Sequence, residues 1–417
     1  MTDLVLSPRI KPGDSILVGQ GTGEPRTLTE ALVDQRAQFD EAVVFLGASY
    51  SNTFQPEHAD HLNFVALGGL GTNATLAAAG ALDVLPCHVS ALPGYIESSR
   101  FRVDVVLVQV SPAGPDGRYS LGLVADYLQP AIARARTVIA EVNDQMPRTL
   151  GDCAIDPEAL DYVIHTSRPL VSVEPPVLGP VEGRIGQLVA ELIPERPVIQ
   201  LGLGKLGYAV AQALEGRRDL AFHGGVVGDW LVALTEAGAV SNRYKPIDRG
   251  ATVTGTVVGT RRLYDFVHEN PAVKMRPISY THAPATLRRL ERFIAVNTAL
   301  EVDLTGQTNA ETLGGRHIGA IGGQVDFARA AAASRGGLSV VALGASAGGG
   351  DVSRIVPRLA DGVVTTPRSD AGVVVTEHGV ADLRGAPLGE RAQRLIAIAD
   401  PSHRAALSRY VADHVLC

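Results

Sequence analysis

The chain has 417 residues, with 37 Lys and Arg against 44 Asp and Glu, so its formal net charge is −7. This charge argues against a strongly basic nucleic-acid binder. Apolar residues make up 46% of the chain and charged residues 19%, a balance typical of a folded protein. At roughly 100 to 200 residues per domain, the length predicts two or three compact units. The 45 glycines are an excess that needs an explanation.

The cysteines and the first residues of the chain indicate a compartment. Cys87, Cys153 and Cys417 are far apart and odd in number, which predicts neither a disulfide framework nor a cysteine metal site. Asp3 and Arg9 interrupt the apolar stretch that a secretory signal would need. We expect a cytoplasmic protein with no membrane or nucleic-acid partner.

Short β-branched runs alternate with Ala-rich stretches along the first part of the chain, the pattern of a parallel sheet buried on both faces. In chain order, the predicted elements are a strand at 15–19, a helix at 28–39, and strands at 42–47, 103–111, 135–143 and 162–167.

A second set of elements follows a Pro- and Gly-rich segment at 168–184 and a helix-like stretch at 185–193. Its predicted strands are 197–204, 219–225, 251–259, 339–344 and 372–379. We therefore predict an α/β protein with two open, Rossmann-like parallel-sheet domains, at residues 1–190 and 191–417.

The segment Gly202–Gly207 matches GxGxxG between a predicted strand and a predicted helix. A dinucleotide site would also need an acid at the end of the next strand. That strand instead ends at His223, Gly224 and Gly225, and Asp219 lies at its other end. The pattern favours an exposed turn whose amides bind an anion or a developing oxyanion over a nicotinamide or flavin site.

Two further motifs favour structural interpretations. Gly344–Gly348 matches GxSxG, with Asp382 and His403 in the order of a hydrolase triad, but glycines rather than a helix follow it, so we favour a loop at a strand end. Glu57–His61 resembles a cluster of metal ligands. Because it lacks a third ligand at a recognisable spacing, it favours an exposed helix start, and we predict no metal site.

A glycine-rich run precedes an Ala-rich predicted helix, and it places several backbone amides near the start of that helix. Such amides suit a thioester or a phosphate-bearing ligand, and a tight turn explains the run equally well. Its residues are Gly319, Ala320, Ile321, Gly322, Gly323 and Gln324.

Several long motifs occur in one order along nearly the whole chain. They include VSPAGPDGRYSLG at 110–122, YDFVHENPAV at 264–273, LEVDLTGQTNAE at 300–311, the run at 319–337 and VVTEHGVADLRGAPLGE from 374. By these motifs the chain resembles the acetyl-CoA hydrolase/transferase family, the class I CoA-transferases typified by 4-hydroxybutyrate CoA-transferase.

The resemblance implies a homodimer or higher homo-oligomer that binds coenzyme A as an acyl-CoA substrate. It also implies a glutamate nucleophile that passes through a mixed anhydride and a glutamyl-CoA thioester. By the same resemblance, Gly202, Leu203 and Gly204 map to an oxyanion-hole turn, Asn309 maps to an assisting amide, and the run 319–324 maps to the segment beside CoA.

The sequence departs from the family's nucleophile motif at Gly225, where the family has its glutamate. In the segment FHGGVVGDW, His223 and Asp229 keep their family positions. Glycine has no side chain, so no enzyme-bound anhydride or thioester can form there. The change predicts an unfilled substrate pocket at Gly224 and Gly225.

We therefore expect an enzyme that binds an acyl-CoA, or an acyl thioester of a carrier's phosphopantetheine, and a small-molecule acceptor. It would transfer, hydrolyse or condense the acyl group directly. His223 is the candidate general base because an imidazole titrates near neutral pH, and a structural histidine is its alternative. The oxyanion would be held by Leu203, Gly204 and Asn309. Two other functions stay open: a non-catalytic CoA-binding homologue, and a conventional CoA-transferase whose nucleophile comes from elsewhere.

Overall fold

The computed structural model describes residues 4–359 and 362–414; Cys417 lies outside them. The chain forms two compact units, each made of segments that are discontinuous in sequence. The first unit comprises Met1–Glu174, Val253–Thr281 and Arg316–Gly322, and the second comprises Pro175–Thr252, His282–Gly315 and Gly323–Cys417. The chain first crosses between the units after Glu174, and the domain boundary near residue 190 stays a prediction.

The first unit contains a parallel sheet of seven strands. Its strands are β1 (Ser15–Val18), β2 (Ala42–Phe45), β3 (Leu62–Ala66), β4 (Leu82–Val84), β5 (Val105–Val110), β6 (Thr137–Asn143) and β7 (Tyr162–Thr166). The order in the sheet is β4-β3-β2-β1-β5-β6-β7. Ile16, Val44, Leu107 and Ile139 are buried in one core, which agrees with the apolar runs that predicted these strands.

The second unit contains a six-stranded sheet. Its strands are β8 (Val198–Leu201), β9 (Ala221–Phe222), β10 (Phe293–Thr298), β11 (Leu338–Ala342), β12 (Val373–Thr376) and β13 (Gly379–Asp382). The order is β9-β8-β10-β11-β12-β13. The strands are parallel except for β13, which pairs with β12 in the antiparallel sense. The predicted α/β class with two open sheets is confirmed, with one antiparallel edge added.

Helices connect the strands of both sheets. They are α1 (Arg26–Asp34), α2 (Asn73–Ala78), α3 (Leu92–Glu97), α4 (Leu128–Arg134), α5 (Pro180–Leu192), α6 (Lys205–Ala213), α7 (Trp230–Glu236), α8 (Arg261–Val267), α9 (Ile278–Thr281), α10 (Pro284–Leu287), α11 (Gln324–Ala333), α12 (Leu388–Ile398) and α13 (Pro401–Asp413). Over the residues that the structure describes, no helix is long and apolar enough to cross a membrane.

The sequence and the structure differ at several segments, and the strands β3, β4 and β10 lie outside the predicted ones. Residues 251–259 form two short strands, Thr252–Thr254 and Thr256–Val257, outside both large sheets, because the apolar run is interrupted at Gly255. The central strand β10 was not among the predicted strands, although Phe293 and Ile294 are fully buried.

Two glycines of α5 have different surroundings. A Cβ at Gly186 would lie 2.5 Å from the carbonyl oxygen of Ala209 in α6, so these two helices pack with backbone against backbone. A Cβ at Gly183 would meet no described heavy atom within 4 Å. Close contact with α6 therefore requires glycine at 186 and not at 183.

We expect Gly186→Ala to lower the free energy of unfolding by about 1–3 kcal/mol, because the added methyl group overpacks the contact with α6. Gly183→Ala is the matched control in the same helix, and it should raise the free energy of unfolding by up to about 1 kcal/mol, since alanine favours a helix over glycine. Urea denaturation of both variants measures the difference. Equal effects of the two substitutions would contradict the close contact.

Candidate active site

The candidate oxyanion turn, residues 202–204, joins β8 to α6. In the sheet β8 lies between β9 and β10, so the next strand along the chain is added on one side of β8 and the following strand on its other side. Open α/β sheets bind ligands at such a switch point. A Cβ at Gly202 or Gly204 would meet no described heavy atom within 4 Å. The turn thus borders open space at a helix start, where backbone amides can donate to an anion.

The third glycine of the GxGxxG pattern has a packing role. A Cβ at Gly207 would overlap the carbonyl oxygen of Gly202, so the first turn of α6 lies directly against the candidate oxyanion turn. Asp219 lies before β9, and it pairs with Arg243 at 2.8 Å. The pattern therefore fits an anion-binding turn better than a dinucleotide site, whose acid belongs at the other end of that strand.

His223 lies directly after β9 and is fully buried. Its backbone N–H donates to the Ile199 carbonyl at 3.1 Å. The preceding residue, Phe222, donates its N–H to Asn242 Oδ1 at 2.9 Å and accepts a hydrogen bond from Lys245 Nζ at 3.0 Å. These bonds fix the backbone at His223 beside the strand that leads into the candidate oxyanion turn.

Neighbouring side chains approach both Gly224 and Gly225. A Cβ at Gly225 would lie 2.8 Å from His282 Cε1 and 3.1 Å from His282 Nε2. A Cβ at Gly224 would lie 3.2 Å from Cγ of Gln200. A side chain at Gly225 would therefore require the His282 ring to shift, and the assignment of both glycines to a substrate pocket stays a prediction.

The His282 ring is held on several sides. A Cβ at Gly323 would overlap its Nε2 atom, and the Phe327 ring of α11 packs against it with 4.5 Å between ring centroids. His282 is 4% exposed. Burial lowers the pKa of His282 to about 3, and the charge of His223 adds to the shift. The imidazole is therefore neutral at neutral pH.

No local motif pointed to His282 in the sequence. The glycines at 225 and 323 leave room for the ring, but their sequence positions do not reveal this, because they meet His282 only in the folded chain.

Tyr208 connects α6 to the start of α7. Its hydroxyl accepts the N–H of Asp229 at 3.2 Å. Burial raises the pKa of Tyr208 to about 12, and the charge of Asp229 adds to this rise. Tyr208 in the first turn of α6 is therefore linked by a hydrogen bond to the segment that carries His223 and Gly225.

Asn309 is buried and uses its side chain within its own loop. Its Oδ1 accepts the N–H groups of Glu311 and Thr312 at 3.0 and 3.1 Å, and its Nδ2 donates to the Thr312 carbonyl at 2.7 Å. It also lines a cavity of about 250 Å³ with Glu301 and Arg358. The observed contacts are those of a loop-stabilising residue, and the oxyanion role stays a prediction.

The glycine-rich run is divided between the two units after Gly322. Within the first unit, the Gly319 carbonyl accepts the N–H of Gly69 at 3.1 Å, and the Gly322 carbonyl accepts the N–H of Val89 at 3.0 Å. Gly322 has a φ of +55°, which favours glycine. These bonds explain part of the run as a turn.

The rest of the run belongs to the second unit. Gly323 directly precedes α11, whose first residue is Gln324. The Gln324 side chain is buried, and its Nε2 donates to Thr366 Oγ1 at 3.1 Å. Contact of Ala320, Ile321 or the neighbouring glycines with CoA stays a prediction.

The GxSxG segment follows β11 and is not followed by an α-helix, but it is a short hairpin rather than the predicted loop, since Ser346–Ala347 pairs antiparallel with Val352–Ser353. Ser346 Oγ donates to Asp400 at 3.0 Å, and His403 Nε2 contacts the Gly350 carbonyl at 2.8 Å. Asp382 pairs with Arg384. Ser346, Asp382 and His403 thus each have a partner outside the triad pattern, which agrees with the structural interpretation favoured from the sequence.

The segment 57–61 also has structural partners. His58 Nδ1 accepts the N–H of Gln55 at 3.1 Å, at the start of a short 3-10 helix. Asp60 pairs with Arg36 at 2.7 Å and His61 with Asp40 at 3.1 Å. Over residues 4–359 and 362–414 there is no group of three His, Cys, Asp or Glu that could hold a metal ion.

Family models match most of the chain. The model described as the acetyl-CoA hydrolase/transferase N-terminal domain matches residues 5–175, and that of the C-terminal domain matches residues 259–411. The 4-hydroxybutyrate coenzyme A transferase of Clostridium kluyveri is 37% identical over 405 residues, which cover 96% of this chain and 94% of that protein.

Solved structures give the same result for the fold. RipA from Yersinia pestis superposes with a TM-score of 0.93 at 31% identity, covering 98% of this chain and 95% of that chain. A 4-hydroxybutyrate CoA-transferase from Porphyromonas gingivalis superposes with a TM-score of 0.81 at 33% identity, covering 97% and 94%.

We expect Asn309→Ala to lower the free energy of unfolding by about 1–3 kcal/mol, because two buried amides lose their acceptor. Thr305→Ser, in the same loop region, keeps its hydroxyl and should change stability little. Urea denaturation measures both variants. An Asn309→Ala variant as stable as the wild type would contradict the loop-stabilising role.

The lowered pKa of His282 predicts a pH-dependent stability. Between its ordinary pKa of 6.5 and about 3, the unfolded chain binds a proton that the folded chain does not, so stability falls as pH falls through this range. His282→Gln should remove this contribution, which amounts to about 2 kcal/mol between pH 7 and pH 5. Urea denaturation of both proteins at the two pH values checks it. The other buried acids are present in the wild type and in His282→Gln, so their contributions cancel when the two proteins are compared. If the free energy of unfolding changed equally with pH in both proteins, the pH dependence would not come from His282.

Proposed function

Because this chain belongs to the acetyl-CoA hydrolase/transferase family, we propose that it transfers the acyl group of an acyl-CoA directly to an acceptor or to water, without a glutamyl-CoA intermediate. The family relation supports an enzyme that acts on CoA thioesters by transfer or hydrolysis. The direct route is the further step, and it rests on the residues around position 225.

The observation that carries the proposal is the glycine at position 225 beside the His282 ring. A nucleophile at this position would need a carboxylate side chain, and its Cβ would lie 2.8 Å from Cε1 of His282. With no carboxylate at this position, a mixed anhydride at 225 is excluded. The candidate oxyanion turn borders open space at the start of α6, which supports stabilisation of a tetrahedral intermediate by its amides.

The reaction then needs three contributions from this chain. Leu203 and Gly204 would donate their amides to the thioester oxygen, and Asn309 would be a further donor, as the family resemblance implies. His223 would accept the proton of the attacking molecule and return it to the leaving thiolate. CoA is the substrate of this reaction, and a carrier's phosphopantetheine thioester would present the same reacting group. We place the reaction in the cytoplasm and in a homodimer.

The direct reaction is tested by incubating the purified chain with acetyl-CoA, butyryl-CoA and 4-hydroxybutyryl-CoA and following free thiol. We expect thiol release above the protein-free rate with at least one of the three. His223→Ala should reduce that release by about 10²- to 10⁴-fold, the usual contribution of a general base. His61→Ala, which alters a partly exposed ion pair with Asp40, is the matched control and should keep the wild-type rate.

The alternatives give different results in the same experiment. Binding of CoA without any turnover would identify a non-catalytic homologue. A CoA adduct on a protein carboxylate, seen by intact mass after borohydride trapping, would identify a conventional CoA-transferase. Full activity of His223→Ala would leave His223 as a structural histidine.

A further inference from the structure

A cavity of about 530 Å³ lies in the second unit, away from the candidate oxyanion turn. It is lined by the end of α11, the start of β11, the segment before β12 and residues that follow β13. Because β8, β10, β11 and β12 run parallel, the starts of β11 and β12 lie at the amino edge of the sheet, whereas the turn follows the carboxyl end of β8. The cavity and the candidate oxyanion turn are therefore at opposite edges of one sheet.

Three arginines from different elements line this cavity: Arg329 of α11, Arg384 after β13 and Arg391 of α12. Asp370 is the acid that lines it with them. Three positive charges against one negative charge give the lining a net charge of +2. In a chain whose formal net charge is −7, this local excess of positive charge indicates an anion site.

Arg391 is half-buried and is held by backbone oxygens. Its Nη1 donates to the carbonyls of Thr305 and Arg368 at 3.0 and 2.7 Å, and its Nε donates to the carbonyl of Ala386 at 3.1 Å. Among the residues that the structure describes, its Nη2 has no acceptor. Burial lowers the pKa of Arg391, and the charge of Arg368 adds to this shift. The three bonds fix the guanidinium in place and leave Nη2 for a bound anion.

The Arg329 and Arg384 side chains are exposed, and each pairs with an acid. Arg329 Nε donates to Asp370 at 2.8 Å, and Arg384 donates to Asp382 through Nε and Nη2 at 2.9 and 2.7 Å. Within residues 4–359 and 362–414, Nη1 and Nη2 of Arg329 and Nη1 of Arg384 have no acceptor. Exposed ion pairs are weak, so both side chains can turn toward a ligand at little cost.

Ser339, the second residue of β11, adds a buried hydroxyl to the lining. It is 3% exposed, and its hydroxyl makes no hydrogen bond to a described residue. Buried hydroxyls usually have a partner, so this one is available to a ligand. Ala332, Leu338 and Ala371 supply apolar wall. The volume lies in the range of small-molecule sites, about 300–1,000 Å³, and leaves room for more than the anion itself.

We propose that this cavity binds the phosphate group of a small phosphomonoester, at a site separate from the reacting edge of the sheet. A phosphomonoester carries a charge of about −1.5 to −2 at neutral pH, which matches the net charge of the lining better than one carboxylate does. Guanidinium groups donate to phosphate oxygens with two parallel bonds. Arg329, Arg384 and Arg391 hold the oxygens, and Ser339 adds a hydroxyl donor.

Calorimetric titration of the purified chain tests the site with glycerol 3-phosphate, inorganic phosphate and acetate at constant ionic strength. We expect one site per chain for both phosphates at millimolar concentrations, with glycerol 3-phosphate bound at least as tightly as inorganic phosphate. Acetate should bind about tenfold more weakly or not at all, because it carries half the charge. No saturable phosphate binding, or acetate binding of equal affinity, would overturn the inference.

Substitutions in the lining locate the binding. Arg329→Gln and Arg384→Gln should each weaken glycerol 3-phosphate binding by about tenfold, because each removes a charged donor. Arg243→Gln is the matched control: its side chain is 61% exposed, as is that of Arg329, and it pairs with Asp219 outside the lining. Wild-type affinity in both lining variants, or an equal loss in the control, would overturn the assignment to this cavity.

Ser339→Ala tests the buried hydroxyl separately. We expect it to weaken glycerol 3-phosphate binding by about threefold, the usual effect of one neutral hydrogen bond. Circular dichroism of each variant confirms that it is folded. An unchanged affinity would remove Ser339 from the site and contradict this part of the inference.

Competition with CoA shows whether the cavity is separate from the reacting edge. Saturating CoA should leave the affinity for glycerol 3-phosphate unchanged, because the two sites lie at opposite edges of the sheet. Glycerol 3-phosphate should also raise the melting temperature of the wild type and of Arg243→Gln more than that of Arg384→Gln, since a ligand of the folded chain stabilises it. Displacement by CoA would assign the cavity to CoA and overturn the inference. None of these measurements depends on acyl transfer, so the proposed function can fail independently.

Discussion

The His282 imidazole packs against Gly225 and Gly323, and this contact limits which residues the two segments can carry. A Cβ at Gly225 would lie 2.8 Å from Cε1 of the ring, and a Cβ at Gly323 would overlap Nε2. The Phe327 ring of α11 packs against the same imidazole, with 4.5 Å between ring centroids. A side chain at either glycine would therefore require the ring, and its contact with α11, to shift.

The candidate oxyanion turn is held by a separate set of contacts. Gly207 lets α6 begin against the carbonyl of Gly202, and Gly186 lets α5 pack on the backbone of α6. None of these contacts involves Gly225. The position of the turn therefore depends on helix packing and not on the residue at position 225.

Sequence reasoning predicted the parts of the fold that have strong local signals. The strands β5 and β6 are long, mostly apolar runs, and the candidate oxyanion turn lies between a strand and a helix, so both were found. The central strand β10 has only four apolar residues before Asn297, and a run this short is ambiguous. The role of His282 could not be predicted, because it is created by tertiary packing between segments that are far apart in sequence.

Burial keeps the two histidines of the second unit away from solvent. His223 is fully buried and His282 is 4% exposed, and burial lowers the pKa of His282 to about 3. At neutral pH the ring beside Gly225 is therefore uncharged. A proton on this ring would have to enter a buried contact with Gly225, Gly323 and Phe327, so the same packing that fixes the ring also opposes its charged form.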